Sequence, residues 1–288
     1  MRIGSHMSIS GGVSTAVTRA LVHGCESLQV FTKNASQWKA APIPAEEIDA
    51  FTRAIEASDI GPVVSHASYL INLATTAPAL RAQSIDAFVD ELERADALNL
   101  LGVVIHPGTC TSGTEDEGLT LIADGVAEAL ARRPGGRALV LLENTAGQGR
   151  NLGYRFEHLG TILKHLDGSP RVGVCLDTCH LLASGYDLVH DYDAVFDAFG
   201  SLVGFDRLQV FHGNDSKKPC GSRVDRHEHI GQGHLGEAPF RRLLHDPRFA
   251  HLPIVLETEK TKGFEKNALK EMDPLDQMNL DALRRLRA

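Results

Sequence analysis

Eight short apolar runs recur along the chain at a nearly regular interval, with segments of helical periodicity between them. The runs begin near Arg2, Ser27, Pro62, Leu101, Ala138, Arg171, Arg207 and Pro253. Their starts lie 25 to 46 residues apart, a spacing typical of repeated strand–helix units. Some runs, such as Leu101–Ile105 and Pro253–Leu256, are almost wholly apolar, as strands covered on both faces of a parallel sheet are.

The segments between the runs have the apolar period of amphipathic helices. The last of these predicted helices has its apolar face formed by Leu275, Met278, Ala282, Leu283 and Leu286. Eight strand–helix units in 288 residues match the usual size of a (β/α)8 barrel. An open doubly wound sheet would carry a glycine-rich phosphate-binding turn after its first strand, and this chain has none there. We therefore predict a single α/β domain over residues 1–288, folded as a TIM barrel.

Composition excludes several other classes of protein. No run of 18 apolar residues is present and the N-terminus lacks a signal peptide's apolar stretch, so no membrane segment or export is predicted. Five scattered cysteines do not form a disulfide framework, which favours a reduced, cytoplasmic setting. The net charge of −8 argues against coating nucleic acid through bulk positive charge, but not against an enzyme whose positive charge is local.

Six consecutive predicted strands end in side chains that can bind a metal ion. The residues are His66, His106, Glu143, Asp177, His212 and Glu257, and His180 follows one helical turn after Asp177. Functional residues of (β/α)8 enzymes lie at the carboxyl ends of the strands, so these side chains are predicted to meet at one mouth of the barrel.

The segment from Asp215 to Gly236 has few apolar residues and no clear helix, and connections this long are usually functional. It lies between the seventh and eighth strands and adds Asp225 and His227, which point the same way in an extended segment. Five imidazoles and four carboxylates in one place call for cations, and such mixed sets suit zinc, with manganese or iron as alternatives.

Each of these residues also has a purely structural interpretation. A lone histidine after a strand is often only hydrogen-bonded, Asp177 with His180 fits a turn and helix cap, and Glu143 could pair with a surface arginine. The metal site is favoured by the conjunction, because chance rarely places His, Asp or Glu after six apolar strands in succession. His6 also follows a strand, and we expect it to support the ligands rather than join them.

Eight segments spread over nearly the whole chain resemble, in order, the motifs of the endonuclease IV family of AP endonucleases. They are FTKNASQW (Phe31–Trp38), HASYLINLA (His66–Ala74), HPG (His106–Gly108), ENTAGQG (Glu143–Gly149), GVCLDTCH (Gly173–His180), HGNDSK (His212–Lys217), GSRVDRHEHIGQG (Gly221–Gly233) and LET (Leu256–Thr258). The resemblance implies a TIM barrel with a trinuclear zinc cluster, in which manganese could replace zinc.

The resemblance also implies how the nine ligands are divided among three zinc ions. The first set is His66, His106 and Glu143, the second is Glu143, Asp177, His212 and Glu257, and the third is His180, Asp225 and His227. Glu143 is thereby implied as the catalytic residue, a bridging ligand that positions a metal-bound hydroxide.

By the same resemblance the chain is a DNA-repair endonuclease acting on double-stranded DNA with abasic sites. Hydroxide activated by zinc would attack phosphorus 5′ to the lesion, leaving a 3′-hydroxyl and a 5′-deoxyribose phosphate. Three zinc ions and four carboxylates leave a local charge of about +2, which suits a phosphodiester. An extruded abasic sugar would enter a pocket that a base would block. A monomer is expected.

Loops after the strands supply candidates for DNA contacts, although each also fits an ordinary surface charge or packing residue. Tyr69 and Leu70 could fill the gap left by an extruded nucleotide, and Ser36 stands where a relative carries a wedging arginine. The full candidate set is Lys33, Ser36, Tyr69, Leu70, Arg150, Lys217, Arg223 and Arg226.

Two other classes of function compete with the nuclease. A metal-dependent sugar isomerase or epimerase of the xylose-isomerase-like barrels would need only the set Glu143, Asp177, His212 and Glu257. The other five ligands favour the nuclease, because an isomerase does not need them. A non-catalytic protein that binds damaged DNA or metal would require a lost ligand, and no ligand is missing from the set.

Overall fold

The computed structural model describes residues 1–264 and 269–288 and contains a closed barrel of eight parallel strands. The strands are Arg2–His6 (β1), Ser27–Val30 (β2), Val63–His66 (β3), Gly102–Ile105 (β4), Gly108–Thr109 (β5), Leu139–Glu143 (β6), Asn151–Leu152 (β7), Val172–Asp177 (β8), Leu208–His212 (β9), Asp215–Ser216 (β10), His227–Glu228 (β11) and Pro253–Leu256 (β12). The helices are Ser14–Val22 (α1), Ala45–Glu56 (α2), Pro78–Ala97 (α3), Glu115–Ala131 (α4), Phe156–His165 (α5), Thr178–Ser184 (α6), Tyr192–Leu202 (α7), Glu237–His245 (α8) and Pro274–Arg287 (α9).

The barrel runs in the order β1, β2, β3, β4, β6, β8, β9, β12, and β12 pairs back onto β1. The predicted TIM barrel is therefore confirmed, and each barrel strand begins within one residue of its predicted start. The four remaining strands form two short antiparallel pairs, β5 with β7 and β10 with β11, outside the barrel. Parallel strands joined by helices bring all their carboxyl ends to one mouth.

One layer of apolar side chains fills the inside of the barrel below this mouth. It is formed by Val64, Val104, Leu141, Cys175, Val210 and Val255, which make a buried cluster separate from the main core. Side chains alternate along a strand, so the residue two positions further on also points into the barrel. Those residues are His66, His106, Glu143, Asp177, His212 and Glu257. The six predicted strand-end ligands therefore stand directly on an apolar floor.

The predicted apolar face of the last helix is partly wrong. Leu283 is fully buried as expected, but Met278 is 36% exposed. Two polar residues, Asp276 and Asn279, are buried against the barrel instead. Asp276 accepts a hydrogen bond from the Ser5 hydroxyl, and Asn279 donates to the Thr258 hydroxyl at 3.1 Å. The buried face of the helix therefore includes polar residues that have hydrogen-bond partners, which apolar periodicity alone does not predict.

Within residues 1–264 and 269–288, no helix is both long and apolar enough to cross a membrane. All five cysteines lie in this part of the chain, and none forms a disulfide. Cys175 is fully buried in the barrel floor.

Gly102 lies where β4 and β6 are too close for a side chain. A Cβ atom there would lie 2.6 Å from the carbonyl oxygen of Leu139 and 2.9 Å from its Cβ. We expect Gly102→Ala to lower the free energy of unfolding by about 1–3 kcal/mol, because the paired strands must move apart. Urea denaturation followed by circular dichroism measures this loss. Gly135→Ala is the matched control, since nothing lies within 4 Å of its Cβ position, and equal destabilisation in both variants would contradict the prediction.

Candidate metal centre

All nine predicted ligands converge at the carboxyl mouth of the barrel. Six come from strand ends, His180 comes from the first turn of α6, and Asp225 and His227 come from the long loop before α8. The set is mostly buried, with the side chain of Glu143 fully enclosed and that of His106 32% exposed. Among the described residues, the centre is therefore enclosed from below by the barrel floor and opens towards the mouth.

The donor atoms fall into sets whose members all lie within 4.8 Å of one another. Three of these sets are His66, His106 and Glu143; Glu143, Asp177, His212 and Glu257; and His180, Asp225 and His227. Their composition is the same as the division implied by the family resemblance. A fourth set joins Cys179 to Asp177 and His227, but burial raises the pKa of the Cys179 thiol to about 12. A protonated thiol is a weak ligand.

Glu143 belongs to two sets because its carboxylate lies between four imidazoles. Its Oε2 is 3.2 Å from His66 Nε2 and 3.1 Å from His106 Nε2. Its Oε1 is 3.0 Å from His212 Nδ1 and 3.3 Å from His180 Nδ1. The two oxygens thus face different ligands, as a bridging carboxylate requires.

The spacing of the donor atoms fits zinc. Two ligand atoms each about 2.1 Å from a tetrahedral zinc ion are separated by about 3.4 Å. The separation between His212 Nδ1 and Glu257 Oε2 is 3.1 Å, and that between His180 Nε2 and Asp225 Oδ2 is 3.2 Å. His227 Nε2 lies 3.5 Å from an oxygen of Asp225. These pairs need little or no rearrangement to share one ion.

Three of the histidine rings are oriented by a hydrogen bond from one ring nitrogen to a group outside the ligand sets. His66 Nδ1 is 2.8 Å from the carbonyl oxygen of the next residue, and His180 Nδ1 is 2.9 Å from that of Asn144. His212 Nε2 is 2.8 Å from Gln29 Oε1. A donor nitrogen held in this way fixes the tautomer, so the lone pair of the other nitrogen faces the ligand set.

Two buried ring nitrogens carry the most direct indication of a cation. Within the described part of the chain, Nε2 of His180 and Nε2 of His227 have no hydrogen-bond partner. Their nearest Asp225 oxygens lie at 3.2 and 3.5 Å but are not aligned for a hydrogen bond. Buried polar atoms without partners are costly and rare, and a metal ion would satisfy both nitrogens at once. The residues present therefore fit the implied metals.

Opposite charges stabilise one another within the ligand sets. Burial lowers the pKa of His180, but the carboxylates of Asp177 and Asp225 outweigh it and hold that pKa well above its usual value. Burial raises the pKa of Glu143, but His212 and the other imidazoles hold it well below its usual value. The Glu143 carboxylate therefore stays ionised at neutral pH and is available as a ligand.

Gln29, which the sequence analysis did not single out, connects two ligands. Its Nε2 donates to Glu257 Oε1 at 2.5 Å, while its Oε1 accepts from His212. His6 contacts the same amide at 3.1 Å and belongs to none of the ligand sets, which fits a supporting position. The sequence does carry a signal for Gln29, because it is a polar residue between the apolar Leu28 and Val30 near the end of a strand.

Two further amides, also missed, hold the ligands from the strand ends. Asn214 donates through Nδ2 to Asp177 Oδ2 at 2.7 Å and accepts the backbone N–H of Glu257 at 2.8 Å. Asn144 Oδ1 accepts the backbone N–H of Asp177 at 2.6 Å. Asp177 also caps α6 by accepting the backbone N–H of His180 at 2.8 Å. The same residue is therefore both a helix cap and a member of a ligand set.

Asp215 organises the loop that carries Asp225 and His227. Its buried carboxylate accepts backbone N–H groups at 2.7 to 3.2 Å from Ser216, Gly231, Gly233, Leu235 and Gly236. Burial raises the pKa of this carboxyl, and the backbone N–H groups of Leu235, Ser216, Gly233 and Gly231 oppose that shift. The β10–β11 pairing then places His227 opposite Ser216. The long loop is therefore ordered by one side chain at its start.

Most candidate DNA contacts lie exposed around the mouth. Tyr69 is 64% exposed and packs edge-to-face on Phe31 at 5.6 Å, next to the half-buried Leu70. The remaining exposed candidates are Ser36, Arg150, Lys217, Arg223 and Arg226.

Lys33 differs from the other candidates because it is buried. Its ammonium lies 2.7 Å from Asp90 Oδ2 and 2.9 Å from Glu91 Oε1, and only 1% of its side chain is exposed. Lys33 therefore does not present the charge that a phosphate contact needs, since its ammonium is already neutralised inside the protein.

We expect Asp215→Asn to loosen the long loop, because an amide nitrogen would face N–H groups that need an acceptor. A loss of about 2 kcal/mol in local stability would speed tryptic cleavage after Arg223 and Arg226 on the order of 30-fold. Mass spectrometry of timed digests measures the rate. The matched control is Asp206→Asn, whose side chain is 80% exposed. Equal cleavage rates in the two variants would contradict the role given to Asp215.

Comparison with known proteins agrees with this geometry. Residues 17–284 match the family described as Xylose isomerase-like TIM barrel. A curated protein from Chloroflexus aggregans named "Probable endonuclease 4" is 49% identical over 287 residues, which are 99% of this chain and 97% of that protein.

Two solved structures separate the family from the wider fold. The crystal structure of endonuclease IV from Thermus thermophilus has a TM-score of 0.86 and 36% identity, covering 99% of this chain and 98% of that one. A D-psicose 3-epimerase structure has a TM-score of 0.68 and 14% identity, covering 100% and 98%, and shows a shared fold alone. The chain therefore belongs to the endonuclease IV family of AP endonucleases, within the xylose isomerase-like TIM barrels.

Proposed function

We propose that the protein hydrolyses the phosphodiester bond on the 5′ side of abasic sites in double-stranded DNA, leaving a 3′-hydroxyl and a 5′-deoxyribose phosphate. One observation carries the proposal: nine donor side chains form three sets that share or adjoin Glu143 at the barrel mouth. A cavity of about 510 Å³ opens directly onto His66, His106, His180, Asp225, His227 and Glu257. A phosphodiester can therefore reach the centre from the solvent.

The proposed cofactors are three zinc ions, which manganese could replace, held by the three sets described above. Bound there, zinc would supply Lewis-acid stabilisation of the phosphoryl oxygens and would lower the pKa of a bound water molecule towards neutrality. Glu143 holds its two oxygens towards different histidine pairs, which keeps the neighbouring sets at a fixed separation. Gln29 and Asn214 keep Glu257 in place, so the centre is organised before substrate binds.

Residues around the mouth are suited to hold the damaged strand. Tyr69 is the most exposed of the large hydrophobic side chains, and its ring lies 5.4 Å from that of His66. We propose that Tyr69 and Leu70 occupy the space left by the extruded nucleotide, beside Ser36, and that Arg150, Lys217, Arg223 and Arg226 contact phosphates. A second cavity of about 430 Å³, between Tyr69 and Glu257, is where we place the extruded sugar.

A sugar epimerase is the alternative that the fold alone would allow. The set Glu143, Asp177, His212 and Glu257 is complete in this chain. Such an enzyme has no need of the set formed by His180, Asp225 and His227, whose donors are equally close. That second group of ligands favours phosphodiester hydrolysis.

Three remaining sequence predictions belong to the same proposal. We propose that residues 1–288 form a single domain, that the protein acts as a monomer, and that it works in the cytoplasm. All five cysteines are unpaired thiols, which supports a reducing compartment.

Metal analysis distinguishes the nuclease from the epimerase. Protein equilibrated with excess zinc and then gel-filtered should retain about three zinc ions per chain by plasma mass spectrometry. His227→Ala should retain about one fewer, because among the three proposed sets it removes a ligand from the third alone. His190→Ala, whose side chain is 77% exposed, serves as the control. One or two zinc ions in the unaltered protein would contradict the trinuclear proposal.

Incision of a labelled duplex with one tetrahydrofuran abasic analogue tests the activity. The protein should make a single cut 5′ to the lesion and leave the undamaged duplex intact. Glu143→Ala should lose about a thousandfold or more in rate, because it removes a ligand shared by two sets. Glu157→Ala, an exposed glutamate on α5, should keep full activity. No cut by fully metallated protein would contradict the proposed function.

A further inference from the structure

Glu91 is a buried carboxylate on α3 that belongs to none of the ligand sets. Only 1% of the residue is exposed, and its two oxygens bind different parts of the chain. Oε1 accepts the backbone N–H of Ser68 at 3.2 Å and lies 2.9 Å from Lys33 Nζ. Oε2 accepts the hydroxyl of Thr32 at 3.0 Å. One side chain thus holds both the loop after β2 and the loop after β3.

These two loops, residues 31–38 and 67–72, also contact each other directly, and we call them the paired loops. The Ser68 hydroxyl donates to the carbonyl oxygen of Ala35 at 2.6 Å. The rings of Phe31 and Tyr69 pack edge-to-face at 5.6 Å. The outer side of the paired loops presents Ser36 with Tyr69, so the candidate DNA contacts of both loops stand on one joined unit.

Neighbouring charges on α3 strengthen the attachment of the paired loops. Asp90 Oδ2 lies 2.7 Å from Lys33 Nζ, and Arg94 donates from Nη2 to the carbonyl oxygen of Thr32 at 2.6 Å. Arg94 Nη1 donates to the carbonyl oxygen of Ala41 at 2.8 Å, just beyond the first of the paired loops. The paired loops are therefore fixed to a 20-residue helix of the barrel shell.

Such a buried charge network is not the most effective way to stabilise a fold, since apolar residues of similar volume are often as stabilising. What a charge network supplies is defined geometry, because each oxygen has an assigned donor. Here the defined geometry belongs to the loops that face the substrate. Among the described residues, no oxygen of Glu91 contacts a member of the three ligand sets.

We propose that Glu91 is a positioning residue that holds the paired loops as one rigid wedge for the DNA duplex. This inference rests on the proposed function. A wedge that is ordered before binding avoids the entropy cost of ordering two loops on the DNA. Glu91 therefore acts on recognition of the damaged duplex and not on phosphodiester hydrolysis at the metals.

The test is Glu91→Gln, which keeps the size of the side chain but leaves one acceptor oxygen where two are needed. The KM for the tetrahydrofuran duplex should rise about tenfold with kcat nearly unchanged. Fluorescence of 2-aminopurine placed beside the lesion, which reports base unstacking on binding, should rise less than with the unaltered protein. Hydrolysis of bis(4-nitrophenyl) phosphate, which has no base stack for the paired loops to open, and zinc content should stay unchanged.

Two further variants keep the result interpretable. Glu93→Gln, an exposed glutamate on the same helix paired with Arg133, is the matched control and should leave every readout unchanged. Ser68→Ala removes the link to Ala35 without altering a buried charge, and it should raise the KM in the same direction by a smaller factor. It tests the paired loops even if Glu91→Gln does not fold.

Equal KM and fluorescence in Glu91→Gln and Glu93→Gln would overturn the inference, as would an unchanged KM in Ser68→Ala. Parallel loss of zinc and of bis(4-nitrophenyl) phosphate hydrolysis would also overturn it, because Glu91 would then support the metal centre. Failure of the unaltered protein to incise the lesion would contradict the proposed function itself. That failure would be seen with the unaltered protein, before any variant is measured.

Discussion

The arrangement of the barrel mouth depends on one fully buried carboxylate surrounded by imidazoles. The carboxylate of Glu143 is not exposed to solvent, so its negative charge is balanced by the four histidine rings that face its two oxygens. These rings come from β3, the end of β4, α6 and β9, which are joined across the barrel through this single residue. A buried charge of this kind is stable only while its partners remain in place, which makes the mouth a rigid part of the fold.

The mouth is held rigid by apolar packing below the ligands and by hydrogen bonds to the ligand side chains. The apolar layer that includes Val64 and Leu141 fixes the strands from which the ligands project. Amides such as Gln29 and Asn214 then fix the orientation of individual ligands. The long loop, which carries Asp225 and His227 of the third ligand set, is ordered separately by backbone N–H groups that donate to the Asp215 carboxylate. An organised set of donors is what electrostatic stabilisation of a developing negative charge requires.

Much of this architecture can be predicted from the sequence, because two regular patterns encode it. The strand–helix repeat predicts the barrel, and alternation along the strands places His66 above Val64 and Glu143 above Leu141 without any knowledge of distant contacts. A family resemblance adds the division of the ligands, which spacing alone does not supply. The structure then brings the same residues together in the same sets.

What the sequence does not predict depends on partners far away along the chain. Lys33 is a basic residue in a loop after a strand, as a phosphate contact would be. Asp90 and Glu91, nearly sixty residues later, neutralise its charge inside the protein. Asp276 takes a barrel-facing position that apolar periodicity assigns elsewhere, because it bonds to Ser5 at the other end of the chain. No local pattern records such pairs, since each residue alone looks like an ordinary surface charge.

The central claim is that three metal ions share this mouth, with Glu143 between two of them. Anomalous diffraction from crystals of the zinc-loaded protein, collected on both sides of the zinc absorption edge, tests it most directly. Three separate peaks are expected, one in each ligand set, with ligand atoms at about 2.0–2.2 Å. A single peak, or two peaks that leave His180, Asp225 and His227 without an ion, would contradict it.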